Sequence, residues 1–262
     1  MAELYDAIGL GYREYRRPDP RLAEAIGRAL NRNESVVNVG AGAGSYEPSD
    51  RPVVAVEPAT AMIRQRPAGS APIVQASASD LPFRDDSFAA ALAVLTVHHW
   101  QDRTRGLSEL ARVARRRVVV VTWDPSSSGF WLIEDYFPEI VQMDRRIFPT
   151  IRDFRQALGR VEVLPFLIPH DCVDGFLGAY WRRPRAYLDA RVRAQSRRSR
   201  GSGRASSSPG SSGFDRISTP ARGSDDTPTS SSKPSSTWAT ASSSQRADRR
   251  SRRRGYSLMT FR

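Results

Sequence analysis

Cysteine, histidine and lysine are nearly absent from this chain of 262 residues, which holds a single Cys172, three histidines and, among 40 basic side chains, only Lys233 as lysine. One cysteine excludes an intrachain disulfide and suits a reducing cytoplasm. His98, His99 and His170 stand at no zinc-ligand spacing from Cys172, so no metal centre is expected. The longest uncharged apolar run, Phe88 to Val97, falls far short of the ~20 residues that a membrane-spanning helix needs. No basic-then-apolar leader opens the sequence. Together these absences describe a soluble, cytoplasmic protein with no membrane partner. Scarce lysine beside abundant alanine points to a GC-rich genome rather than to selection for guanidinium chemistry.

The net charge of +12 is unevenly placed. Residues 1–190 hold 24 arginines and 24 acidic side chains, whereas residues 191–262 hold 16 basic and 4 acidic ones. The first part therefore carries no net basic signal for nucleic acid. Residues 191–262 look like a low-complexity appendage: from Ser196 onward, 20 of 67 positions are serine. So few large apolar side chains cannot offset chain entropy, which predicts a disordered tail that is dispensable for ligand binding. Its arginines could neutralise phosphates without specificity, but aromatics for base stacking are sparse, so no specific nucleic-acid partner is expected. An out-of-frame tail is a second explanation. Trp238 to Ser242, written with G or C at wobble positions, permits Gly-Asp-Gly-Glu-Leu in an adjacent frame. Only Gly255 to Phe261 could supply a weak strand there.

What the chain does have is concentrated near residue 40. The β-branched run Val36 to Val39 leads into Gly40, Gly42 and Gly44, spaced two apart, and then Ser45. A second apolar strand, Val53 to Val56, ends on Glu57, 13 residues after Gly44. Glycines let a backbone turn tightly and approach a ligand. A carboxylate at the next strand tip can accept both hydroxyls of a ribose. This is the arrangement of a nucleoside cofactor lying across parallel strand ends. The spacing is not that of a dinucleotide fingerprint, which favours a cofactor without a pyrophosphate, and S-adenosyl-L-methionine fits.

Periodicity places further elements: a helix over Arg21 to Leu30, a short one over Ala59 to Arg66, and one over Arg103 to Ala114. Ile73 to Val74, Phe88 to Leu95, Arg117 to Trp123 and Val161 to Ile168 read as strands, with a helix around Phe130 to Asp144. Alternating strands and helices give an α/β, doubly wound sheet.

The segment Ser77 to Phe88, with Leu81, Pro82, Phe83, Asp85, Ser87 and Phe88, followed by an apolar run and His98, His99 and Trp100, resembles the class I S-adenosylmethionine-dependent methyltransferases of small-molecule type. The resemblance covers about residues 1–190. It implies a seven-stranded, mostly parallel Rossmann-like sheet and methyl transfer to a small-molecule acceptor. For the cofactor it implies Asn38, Gly40, Gly42, Gly44, Glu57, Ser77 and Ala78. Asn38 departs from the family's usual acid, and Ser77 from an acid or amide that contacts the adenine amine. His98 and His99, expected at the end of strand four, are candidate general bases. Tyr180, Trp181 and Arg182 could clamp the acceptor by stacking and charge. Tyr12, Tyr15 and Arg16 belong to a segment that in relatives folds over the cofactor. A chain lacking the last strand would instead be an impaired enzyme with an incomplete sheet.

Overall fold

The computed structural model describes residues 16–31, 35–190, 192 and 255–261. Helix α1 (Pro20–Leu30) begins where the sequence signals it. Asp19 is its N-cap and accepts from the Arg21 backbone N–H at 3.0 Å, and Pro20 occupies the first turn, where a missing N–H costs nothing. Leu22, Ile26 and Leu30, four apart, are fully buried on one face. Arg21 also bonds the Asp19 carboxylate and holds it well below the usual carboxylate range.

The strands are β1 (Val36–Val39), β2 (Val53–Val56), β3 (Ile73–Val74), β4 (Phe88–Val94), β5 (Ala114–Trp123), β6 (Val161–Phe166) and β7 (Gly255–Phe261). They form one seven-stranded sheet in the order β3-β2-β1-β4-β5-β7-β6. Every strand pair is parallel, where the resemblance implied a mostly parallel sheet. Among the described residues, helices α2 (Thr60–Ile63), α3 (Arg103–Val113), α4 (Pro138–Ile147) and α5 (Ile151–Leu158) flank the sheet, with three 3₁₀ turns and a π turn over Leu132–Tyr136.

The apolar strand runs are explained by burial on both faces. Val118 and Val120 pack with Leu107, Leu110 and Val113 of α3 and Phe154 and Leu158 of α5. Their neighbours Val119 and Val121 pack on the other side with Leu22 and Ile26 of α1 and with Ile168, Cys172 and Phe176 after β6. Strand order reverses between β1 and β4, both of which leave the sheet toward the same end. That switch point opens a crevice above their carboxyl ends. Among the described residues no helix is long and apolar enough to cross a membrane.

Several expectations are corrected. Helix α5, which a capping box of Thr150 and Asp153 starts, was not foreseen although Thr150 and Asp153 carry its signature. The expected helix around Phe130 to Asp144 is a π turn followed by α4. The main correction concerns the C-terminus. Residues 255–261 are not part of a structureless tail: β7 lies between β5 and β6, pairing Val120 with Leu258 and Val163 with Leu258. Leu258, Met259, Thr260 and Phe261 are all buried. The sheet is complete, so the reading of an impaired product with missing strands does not hold. The basic, serine-rich stretch 193–254 lies outside the described residues.

Inserting β7 satisfies the inner edges of β5 and β6 and leaves β6 as the outer edge, where Pro165 can sit without removing a ladder bond. Leu258→Ala is expected to lower stability by about 2–5 kcal/mol in denaturant melts. Deleting residues 255–261 should leave the edge of β5 open and the chain insoluble. A truncated chain that stays soluble and melts cooperatively would contradict this placement of β7.

Candidate functional site

The turn after β1 is built by glycine geometry. Gly40 has φ +71°, and a Cβ there would collide with the side chain of Thr96, two residues past the end of β4. The turn is pinned to β2, because the Gly40 and Ala41 N–H groups both donate to the Val56 carbonyl, at 2.8 and 3.0 Å. Glu57, one residue further, is buried and points its carboxylate back beneath this loop. Its Oε2 accepts from Gly42 N at 2.8 Å and its Oε1 from Ala59 N at 3.0 Å. Burial raises its pKa, and the two N–H bonds and Arg66 oppose that shift. Each oxygen keeps further acceptor capacity.

A cavity of about 270 Å³ lies over this turn at the switch point. Of the expected cofactor residues, Asn38, Gly40, Gly42, Glu57, Ser77 and Ala78 line it. Gly44 does not; at φ +93° its missing Cβ makes room for the guanidinium of Arg66. Asn38 is 1% exposed, donates from Nδ2 to Glu47 Oε1 at 3.4 Å, and its Oδ1 finds no donor among the described residues. Ser77 sits at the exposed rim, bonded to Ser79 Oγ at 2.9 Å.

The two histidines part company. Strand β4 ends at Val94, and both belong to a 3₁₀ turn over Val97–His99 rather than to the strand end. His99 lines the cavity. His98 is buried behind it, 3.8 Å from the His99 ring and stacked on Phe148 at 4.2 Å between centroids, and does not line the cavity. Burial, reinforced by the charges of Arg16 and Arg103, pushes the His99 pKa down to about 4, so the imidazole is neutral at pH 7.

Tyr180, Trp181 and Arg182, expected to clamp the acceptor, are not among the residues that line this cavity. Trp181 donates from its indole to the Ile168 carbonyl at 2.9 Å, and its own carbonyl accepts from Trp131 at 2.8 Å. Tyr180 packs edge-on against Tyr187, and Arg182 lies over the Trp181 ring. These aromatics fill the layer behind β5 and β7. Their spacing signals a packed helical turn as readily as a clamp, and the contacts seen here are packing contacts. Cys172 is buried, with its thiol pushed up to about 12 by desolvation.

Other lining residues were missed or only touched on: Tyr46, Met62, Leu95, Thr96, Trp100 and Gln101, together with Arg16. Tyr46 and Leu95 adopt φ +61° and +51°, unusual for non-glycine residues and frequent at ligand clamps. Arg16 reaches the cavity while paired with buried Asp174 at 2.6 Å, and Tyr46 donates its hydroxyl to the same carboxylate at 2.7 Å. Their signal is positional, since Leu95 and Thr96 directly follow a buried strand at the switch point.

The chain is similar to known proteins. A family model described as a methyltransferase domain matches residues 37–122, from β1 to the end of β5. A crystal structure from Anabaena variabilis, assigned as a methyltransferase of an antibiotic biosynthesis pathway, is 29% identical with a TM-score of 0.61. That match covers 71% of this chain and 84% of the other. An S-adenosylmethionine-dependent methyltransferase of Thermotoga maritima is 20% identical with a TM-score of 0.49, over 60% of this chain and 79% of the other.

The protonation state of His99 is testable through stability. Its folded pKa of about 4 lies below the ordinary value of 6.5, so the unfolded chain takes up the proton first. The linked loss of stability is absent above pH 6.5, grows as pH falls through that value, and levels off near 4. His99→Gln should flatten the change in denaturant midpoint between pH 7 and pH 5. An unchanged slope would mean that His99 is not held neutral by burial.

Proposed function

The chain belongs to the class I S-adenosylmethionine-dependent methyltransferases, and we propose that it transfers the methyl group to a small-molecule acceptor by in-line displacement. The likeness to the Anabaena variabilis protein of an antibiotic biosynthesis pathway supports a small acceptor. So does the charge balance of residues 1–190, whose 24 arginines and 24 acidic side chains give nucleic acid no net attraction. The single cysteine keeps the cytoplasm as the proposed compartment.

The residues present fit the cofactor. One observation carries the reading: a buried carboxylate at the tip of β2, held by two loop N–H groups, faces a cavity beside a glycine turn. Glu57 accepts the ribose hydroxyls with its remaining lone pairs, a charge-assisted arrangement. Ser77 and Ala78, which follow β3, receive the adenine end. The amino-acid end then lies on the other side, over Asn38 and the Gly40 turn on β1, a placement that the strand order β3-β2-β1 supports. When bound, the cofactor supplies a methyl carbon already activated by its sulfonium sulfur.

The protein's part is therefore alignment and exclusion of water. Leu95, Thr96 and Trp100 wall the cavity beside His99, and the acceptor is proposed to enter there. The neutral His99 imidazole can take a proton from the acceptor's nucleophile as it attacks. His98 supports that ring from behind rather than touching the acceptor.

Glu57→Ala should weaken binding of S-adenosylhomocysteine by about 1.5–3 kcal/mol in calorimetry, the scale of a charged hydrogen bond. Equal affinity in the variant would remove Glu57 from the ribose site. With an acceptor in hand, His99→Ala should lower kcat while leaving S-adenosylhomocysteine affinity within about twofold. Full turnover would reduce catalysis to alignment alone.

A further inference from the structure

The Asn38 side chain is not free to choose which end it turns to Glu47. Glu47, nine residues on, presents a carboxylate that can only accept, so it selects the amide nitrogen, Nδ2, at 3.4 Å. The carbonyl oxygen is thereby turned away from Glu47. It is buried and meets no donor among the described residues, on a residue that lines the cavity. An acceptor left without a donor in a buried site is costly, and a ligand bearing N–H groups is the natural source of one.

Glu47 does not line the cavity, yet it is fixed as firmly as a residue that does. Arg66 donates to its Oε2 at 2.8 Å, with the two side chains only 5% and 10% exposed. The same guanidinium bonds the Ala71 carbonyl at 3.1 Å and reaches the Gly42 carbonyl at 3.4 Å. Arg66 thus ties Glu47 to the glycine turn itself, through the space that Gly44 leaves open.

We propose that Glu47 is a positioning residue for the cofactor's amino-acid end: held by Arg66, it orients Asn38 so that Oδ1 accepts from the cofactor ammonium. This rests on the placement of ribose and adenine given under Proposed function. It accounts for a neutral side chain at position 38. An aspartate there would set a second carboxylate against Glu47 at the distance now spanned by a hydrogen bond, and like charges so close disfavour ionisation of both. The negative charge stands one side chain behind the acceptor.

Calorimetry on the full chain tests this with three probes: S-adenosylhomocysteine, its analogue with hydrogen in place of the α-amine, and methylthioadenosine, which lacks the amino-acid end. The wild-type chain should prefer S-adenosylhomocysteine over the deaminated analogue by about tenfold or more. In Glu47→Gln the amide at 38 can turn either way, and that preference should fall to about threefold or less, with methylthioadenosine binding unchanged. Asn38→Asp should also lose affinity for S-adenosylhomocysteine. The double variant Asn38→Asp, Glu47→Gln should regain it, because glutamine can donate to the new carboxylate. A Glu47→Gln chain that keeps the full preference overturns the proposal. So does an Asn38→Asp chain that binds S-adenosylhomocysteine more tightly than wild type while Glu47 is intact. Failure of the wild-type chain to bind methylthioadenosine would instead overturn the underlying placement of ribose and adenine, a result separable from both.

Discussion

The functional end of this molecule depends on one buried carboxylate. Glu57 could have been left to water at a strand tip, and instead it is folded under the glycine turn and takes an N–H from each side, Gly42 and Ala59. Those two bonds do more than stabilise a charge. They fix the turn after β1 relative to the start of α2, and hence the floor of the cavity. Burial works against the ionised form and the two N–H donors work for it. A partner that donates further hydrogen bonds to the same oxygens would tip the balance toward the carboxylate. This is how a structural latch and a ligand site come to be the same group.

A second buried carboxylate closes the other side. Asp174, in the loop after β6, accepts from Arg16, from the Tyr46 hydroxyl and from the Gly175 N–H. Tyr46 in turn accepts from the Asp19 N–H at the start of α1, at 3.1 Å, and Asp19 accepts from Val173 at 3.1 Å. Three segments far apart in sequence, before α1, after β1 and after β6, are thus joined through one cluster beside the cavity. Breaking a buried pair of this kind by removing one partner costs about 3–5 kcal/mol, because the survivor is left uncompensated. The Tyr46 backbone at φ +61° is held by the same cluster.

Much of this was legible in the residues, and what was not has physical causes. Val36 to Val39, Val53 to Val56 and Ile73 to Val74 fall where the apolar runs put them, since central parallel strands need continuous apolar sequence. The glycine turn and Glu57 were visible because their chemistry is local. β7 was underrated for the opposite reason. Only a weak local signal marks GYSLMTF as a strand amid serine and arginine, and its pairing partners β5 and β6 are remote in sequence. Tyr180 and Trp181 were hard to assign because aromatic side chains serve packing and stacking alike. The histidines were displaced by a 3₁₀ turn that no periodicity announces, and only His99 reaches the cavity. Glu47 and Arg66 were invisible as a pair, being joined only by the fold.

Function here depends on how the cofactor lies across β3, β2 and β1. A crystal structure of the full chain with S-adenosylhomocysteine measures that directly. The ribose hydroxyls should lie within hydrogen-bond distance of Glu57, the adenine beside Ser77 and Ala78, and the amino-acid end over Asn38 and Gly40. A ligand bound elsewhere, or one whose ribose turns away from Glu57, would contradict it.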